Sequence, residues 1–246
     1  MNRTIHFVEI GREQDKLIIF IHGTPGSWQA FANYLDDADL SSKARMIGVD
    51  RPGFGNSGAG KLVPSLSRQG LMLSPLLDLS PNKCGAILVG HSLGAPLAVR
   101  MAMDYPDKVG ALVLIAPSLD PVLESPRWYN RLAEYKVLKW MIPSQLLLAN
   151  DEVMVLQNEL EEMLPLWDSL DLPVTVIQGQ KDNLVNPANA DFAERMLANG
   201  LKTVRVPKAG HFVLWKQPGL IKSELLEMLD SRTCNAGEQD YLSGRG

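Results

Sequence analysis

Ser92 is the residue of this sequence best placed to attack an electrophile. It sits in Gly90-His91-Ser92-Leu93-Gly94, directly after the aliphatic run Ala86-Ile-Leu-Val89 and before a helical pattern of Ala98, Val99, Met101 and Ala102. A strand, a turn and a helix in that order form the tight elbow of a Gly-x-Ser-x-Gly nucleophile. Small flanking residues let the chain turn, and the hydroxyl stands at the sheet's carboxyl edge beside a helix N-terminus. Taken alone, five such residues also describe a turn serine that caps a helix; the surrounding pattern favours the nucleophile. A serine hydroxyl needs a base to accept its proton, and imidazole titrates in the useful range. The chain has 4 histidines. His6 falls in the first strand, His22 lies one residue past a strand beside a glycine, and His91 adjoins Ser92 with its side chain expected to point away. His211, in Lys208-Ala-Gly-His-Phe212 after the last strand, is left as the base.

The base in turn needs a carboxylate that fixes its tautomer and stabilises the imidazolium, placed between serine and histidine in the chain. Asp182, in Gln178-Gly-Gln-Lys-Asp-Asn183, and Asp120, beyond the strand ending at Ile115, both qualify by position. Either could be an Asx-turn residue and no more. Asp182 is favoured because the Gly179 turn would aim it over the sheet edge, while Asp120 stays open as a substitute. Attack on a carbonyl also develops negative charge on oxygen, which calls for preorganised N–H donors. The Gly-rich turn His22-Gly-Thr-Pro-Gly-Ser27 can supply the backbone N–H of Thr24, with that of Leu93 as the second. In isolation the same turn reads as a plain strand-to-helix connection capped by Ser27.

These residues are scattered along 246 positions, so a sheet must gather them. Short β-branched or aliphatic runs bounded by Gly, Pro, Asp or Asn occupy 17–21, 44–49, 86–89, 111–115, 174–177 and 203–206, and residues 5–10 add one strand at the N-terminal end. Most are apolar without alternation, which implies burial on both faces, and helix-length segments at 28–36, 65–79, 93–104, 188–199 and 219–230 separate them. The expectation is an α/β fold: a mostly parallel central β-sheet of about seven strands flanked by helices. Residues 120–166 break the alternation. They are rich in Trp, Tyr, Leu and Met and punctuated by Pro121, Pro126, Pro143 and Pro165, a pattern of two to four inserted helices. The domain reading is therefore a core of 1–119 and 167–230, a small helical cap of 120–166, and a mobile tail of 231–246 that lacks periodicity.

Composition removes several function classes. With 46% hydrophobic and 21% charged residues the chain can bury a sizeable core. A net charge of −4 leaves no basic surplus for a phosphate backbone, so no nucleic-acid partner is expected. Apolar stretches reach five or six residues where a bilayer span needs roughly 20, and no signal peptide is read, so the expectation is a cytoplasmic protein without a membrane span. Cys84 and Cys234 do not make a disulfide framework. His22 to Ser27 lacks Gly-Lys-Ser/Thr, and Gly53-Phe-Gly-Asn-Ser-Gly58 does not fit dinucleotide-binding spacing. No Cys/His cluster at ligand spacing remains once His211 is assigned, so neither metal nor cofactor is expected.

Taken in order and spacing, His22-Gly-Thr-Pro25, Asp50-Arg-Pro-Gly-Phe-Gly-Asn-Ser57, Gly90 to Gly94, Gly179-Gln-Lys-Asp182 and Gly210-His211 resemble the α/β-hydrolase-fold superfamily over almost the full chain. The resemblance implies Ser92 as nucleophile, Asp182 as acid, His211 as base, Thr24 and Leu93 as oxyanion donors, and 120–166 as a cap over the active site. It makes 50–57 a structural loop near the pocket. One N-terminal strand stands where the family often has two, and Ala95 follows Gly94 where many relatives have a second glycine. Serine at position 92, where dehalogenases and epoxide hydrolases use aspartate, argues against both of those reactions. The expected activity is hydrolysis of a small carboxylic ester, thioester or lactone through an acyl-enzyme, on a small-molecule substrate with an apolar portion. The alternatives are a carbon-carbon bond hydrolase acting on a diketone-like substrate, and a ligand-binding or signalling module of the same fold with negligible turnover.

Overall fold

The computed structural model describes residues 4–13, 15–58, 60–61, 63–81, 85–126, 143–197 and 199–231. Seven strands form one sheet: β1 (Phe7–Ile10), β2 (Lys16–Ile21), β3 (Ala44–Val49), β4 (Ala86–His91), β5 (Val109–Ile115), β6 (Val174–Gly179) and β7 (Leu201–Val206). Their spatial order is β1-β3-β2-β4-β5-β6-β7. β1 runs antiparallel to β3, and every other pairing is parallel. β1 lies at one edge of the sheet. Helices α1 (Leu66–Leu73), α2 (Gly94–Asp104), α3 (Ser144–Met163), α4 (Asn189–Met196) and α5 (Pro218–Ser231) pack around it.

The strands in the middle are buried because both of their faces are covered. In β2, Leu17, Ile19 and Ile21 belong to one apolar cluster, with Leu97 and Met101 of α2 and Leu156 of α3, while Ile18 and Phe20 belong to a second, with Phe31, Tyr34 and Leu225. A strand that alternates its side chains between two covered faces has no reason to alternate polarity, which is why these segments read as unbroken apolar runs. β7, at the other edge, is only half covered and mixes Lys202 and Arg205 with Val204 and Val206.

The chain leaves β2 toward β3 on one side, and after returning through β4 it leaves toward β5 on the other. Connections that diverge in this way open a crevice beyond the carboxyl ends of β2 and β4, where open α/β sheets bind ligands. The loops carrying Thr24 and Ser92 flank that point. Between β5 and β6 the described insertion is dominated by the 20-residue α3, followed by a 3-10 turn at Leu164–Ser169. Residues 127–142, with Arg127, Trp128, Tyr129, Lys136 and Trp140, lie outside the described residues, as do Cys84 and residues 232–246 of the tail expected at 231–246, whose first residue, Ser231, ends α5. Among the described residues no helix is long and apolar enough to cross a membrane.

Candidate active site

β4 ends at His91 and α2 begins at Gly94, so only Ser92 and Leu93 make the turn. Ser92 adopts a left-handed backbone with φ 53°, a conformation that non-glycine residues hold only when their surroundings impose it. The surroundings are the two glycines. A Cβ on Gly90 would stand 2.5 Å from the Ala95 Cα, and one on Gly94 would collide with the Ile21 carbonyl oxygen. Their absence lets α2 pack against both β4 and the end of β2, leaving the serine with the strained position at the apex.

The same device brings the other two loops together. A Cβ on Gly179 would lie 2.6 Å from the carbonyl oxygens of Ala209 and Gly210, and the Lys181 amide donates to the Ala209 carbonyl at 2.8 Å. The loops after β6 and β7 therefore close on each other, and His211 Nδ1 lies 2.8 Å from Asp182 Oδ2. The other carboxylate oxygen of Asp182 accepts from the amides of Leu184 at 2.8 Å and Val185 at 2.9 Å. Burial alone would push this carboxyl up, but the His211 hydrogen bond and the Val185 and Leu184 amides outweigh it and hold it below the usual carboxylate range. Asp120 is engaged elsewhere: its oxygens accept from Arg195 at 3.2 Å and from the Val122 amide at 2.9 Å.

Thr24, Ser92, Leu93 and His211 line one cavity of about 210 Å³. Ser118, Glu124 and Ser125 add polar lining, and Leu123, Val153, Leu156, Leu184 and Val185 add apolar lining. Neither the Thr24 nor the Leu93 amide donates a hydrogen bond among the described residues, which leaves both free for an acceptor in the cavity. The Thr24 hydroxyl is likewise buried without a partner.

Two buried histidines support the site. His22 donates from Nδ1 to the Gly23 carbonyl at 2.6 Å and accepts the Arg51 amide on Nε2 at 3.0 Å, partners that fix one neutral tautomer. Burial, then the charge of Arg51, holds it well below the usual histidine range. His91, expected to point its side chain away from Ser92, packs against His211: its ring centroid is 5.0 Å from that of His211, and its Nε2 lies 3.4 Å from the His211 carbonyl oxygen. The alternating strand sends it away from Ser92 but toward the next loop. Burial and then the neighbouring His211 push it down to about 3.

Residues 18–221 match the model of the alpha/beta hydrolase family. The chain belongs to the alpha/beta hydrolase family. A protein of Bacillus subtilis (strain 168), provisionally named 2-succinyl-6-hydroxy-2,4-cyclohexadiene-1-carboxylate synthase, is 29% identical over 90% of this chain and 93% of its own. A 2-hydroxy-6-oxononadienedioate/2-hydroxy-6-oxononatrienedioate hydrolase of Pseudomonas sp is 32% identical, but over 47% of this chain and 41% of its own. Among solved structures, a thermophilic esterase from Thermogutta terrifontis superposes with a TM-score of 0.68 at 22% identity, covering 93% of this chain and 94% of its own. That likeness carries the fold.

The sequence of this hydrolase marks 50–57 as a structural loop but not the partners its residues make. Asp50 organises the loop at 50–57, accepting from the amides of Trp28 at 2.8 Å and Asn56 at 2.9 Å and lying 2.9 Å from His6 Nδ1. The next residue, Arg51, is fully buried and forks onto Glu152 of α3 through Nη1 at 2.8 Å and Nη2 at 2.9 Å. Gln69 of α1 accepts from Arg51 at 3.0 Å and donates to Glu152 at 3.1 Å. One turn-pair further along α3, Glu159 accepts the Leu66 amide at 2.7 Å, at the start of α1. The inserted helix is thus tied to the core by two carboxylates. Only the arginine carried a signal, by following the aspartate of a Gly-rich loop.

Proposed function

We propose that the chain is a serine hydrolase that cleaves a small carboxylic ester or related acyl compound, with residues 1–119 and 167–230 as the catalytic core and 120–166 as a cap. Ser92 Oγ attacks the carbonyl carbon while His211 Nε2 takes its proton. Asp182 holds Nδ1–H and stabilises the imidazolium, and the Thr24 and Leu93 amides receive the oxyanion. His211 returns the proton to the leaving alcohol; it then takes one from the attacking water and passes it to Ser92 Oγ as the acyl bond breaks, which releases the acid and restores Ser92. The reaction so written needs no cofactor. The observation that carries this reading is the Asp182–His211 pair, with the carboxylate held on its far side by two amides, facing the cavity that Ser92 lines.

The cavity supports a small substrate with an apolar portion, because about 210 Å³ lies below the roughly 300–1,000 Å³ of drug-sized sites and Leu123, Val153 and Leu156 line it. The test is intact-mass spectrometry after exposure to a fluorophosphonate, with Ser92→Ala alongside. One adduct on the natural protein that vanishes in the variant is expected, together with a loss of about a million-fold in ester turnover. Folded protein that takes no adduct overturns the reading and favours a binding module; a variant retaining a tenth of the activity refutes Ser92 as the nucleophile. Carbon-carbon bond cleavage by the same residues is the second reading, supported by the name of the Pseudomonas relative; product analysis separates the two.

A further inference from the structure

The Gly23–Thr24 peptide carries a contact that the reaction does not use directly. Its carbonyl oxygen accepts from His22 Nδ1 at 2.6 Å and from Arg51 Nη2 at 3.1 Å. The peptide is trans, since the described cis bond is Thr24-Pro25. In a planar trans peptide the C=O and N–H point in opposite directions. Two donors that clamp the Gly23 oxygen from behind therefore aim the Thr24 N–H the other way, toward the cavity that Thr24 and Ser92 share.

Arg51 is itself placed by Glu152, so the clamp reaches back into the inserted helix α3. As a device for stability this pair is expensive. The side chains are 0% and 1% exposed, and a fully buried ion pair is often no more stabilising than apolar residues of the same size. The Arg51 Nε is moreover buried without a partner. What an apolar pair could not do is hold the Gly23 carbonyl. A lysine could not do it either, because a single ammonium lacks the planar fork that meets Glu152 with two nitrogens and the carbonyl with one.

We propose that Arg51, held by Glu152 of the inserted helix, is the positioning residue for the Thr24 oxyanion donor, so that the seating of the cap helix on the core completes the oxyanion hole. This rests on the serine hydrolase reading above. The geometry carries a specific expectation: disturbing the clamp weakens binding of the charged tetrahedral state and leaves binding of the neutral ester nearly unchanged. Since loss of one oxyanion donor costs about 100 to 1,000-fold in turnover, misaiming one that remains present is expected to cost about 10 to 100-fold.

The test uses the full chain with Arg51→Met/Glu152→Met, which removes both charges together, and Arg51→Lys, which keeps the ion pair but not the fork. Three quantities are read: kcat and KM for a short-chain p-nitrophenyl ester, affinity for a trifluoromethyl ketone, and fluorophosphonate labelling of Ser92. The ketone adds Ser92 Oγ to its carbonyl carbon, sends the proton to His211 and leaves a charged oxygen in the hole. Expected in both variants are labelling that still maps to Ser92, kcat lower by about 10 to 100-fold, KM within about threefold, and ketone affinity lower by the same factor as kcat. If Arg51→Lys keeps the natural kcat and ketone affinity, Arg51 serves the fold alone and the proposal fails. A KM that rises while kcat holds also refutes it. Should the double variant not fold, Arg51→Lys decides by itself. Absence of labelling on the natural protein would instead overturn the serine reading, an outcome distinct from failure of the clamp.

Discussion

Replacing Asp182 by asparagine tests the tautomer argument on which the site depends. The new side chain must choose which end meets His211. The outer oxygen of Asp182 accepts two amides, from Leu184 at 2.8 Å and Val185 at 2.9 Å. An asparagine NH2 turned toward them would set donors against donors and leave the buried Val185 N–H unpaired, at about 1–3 kcal/mol, and the part-buried Leu184 N–H with it. The oxygen therefore stays with the amides, and the NH2 falls where Oδ2 now meets His211 Nδ1 at 2.8 Å. Facing a donor, Nδ1 must present its lone pair, which moves the ring proton to Nε2, the nitrogen that has to receive the Ser92 proton. The base is present but blocked. The expected loss is about 10,000-fold in kcat, or about 5 kcal/mol of barrier, with the fold intact because one hydrogen bond of similar length replaces another. The assay is turnover of a short-chain p-nitrophenyl ester, with the His211 tautomer read by 15N NMR. A loss smaller than tenfold, or an Nδ1 still carrying its proton at full cost in rate, would refute the reasoning.

Acid stability offers an independent check on the two buried histidines. His22 and His91 stay neutral in the folded protein, His91 to about pH 3, whereas in the unfolded chain each takes a proton below about pH 6.5. The unfolded state then binds more protons, so stability present above pH 6.5 is lost as pH falls. Each histidine removes about 1.4 kcal/mol per pH unit once well below that point, so together nearly 3 kcal/mol per unit is expected near pH 5. Asp182, whose carboxyl is held down, adds to the loss only below about pH 4. Urea midpoints at pH 7, 6 and 5 measure this; half the slope would mean that one ring charges within the fold, and a flat series that both do. Gly94→Ala tests the elbow: its Cβ would meet the Ile21 and His22 carbonyl oxygens, the latter at 2.6 Å. An overpacking cost of about 1–3 kcal/mol is expected, seen as a melting point lower by about 2–4 °C per kcal/mol, with activity falling as the neighbouring Gly23–Thr24 peptide is displaced. An unchanged melting point would show that the elbow has room to spare.

The central strands could be read from the sequence because burial on both faces writes itself as an apolar run, and β2 through β6 fall within a residue or two of the expected ranges. Ser92 was legible for a similar reason: a left-handed apex between two close contacts demands glycines at fixed offsets. Choosing Asp182 over Asp120 was harder, since both end strands. What separates them is the approach of the 209–210 backbone to Gly179, a contact between two loops that only the register of β6 and β7 brings about.

Arg51 lay in a visible motif, but its pairing with Glu152 was not legible, and the reason is general. A motif is visible when its members share one turn, because local geometry then dictates residue types at fixed spacing. Arg51 and Glu152 are separated by 101 positions, and the segment between them includes the whole of β4, α2 and β5. Nothing in α3 distinguishes Glu152 from Glu159, Glu161 or Glu162 as a string of letters; only its place on the face turned to the core does. Yet it is Glu152 that reaches, through Arg51 and the Gly23 carbonyl, to within one peptide plane of the proposed oxyanion amide. Short-range patterns in this hydrolase therefore mark the groups that would react, while long-range pairs set how accurately those groups are aimed. The first kind survives in one sequence, and the second emerges only when the sheet has brought distant loops to a common edge.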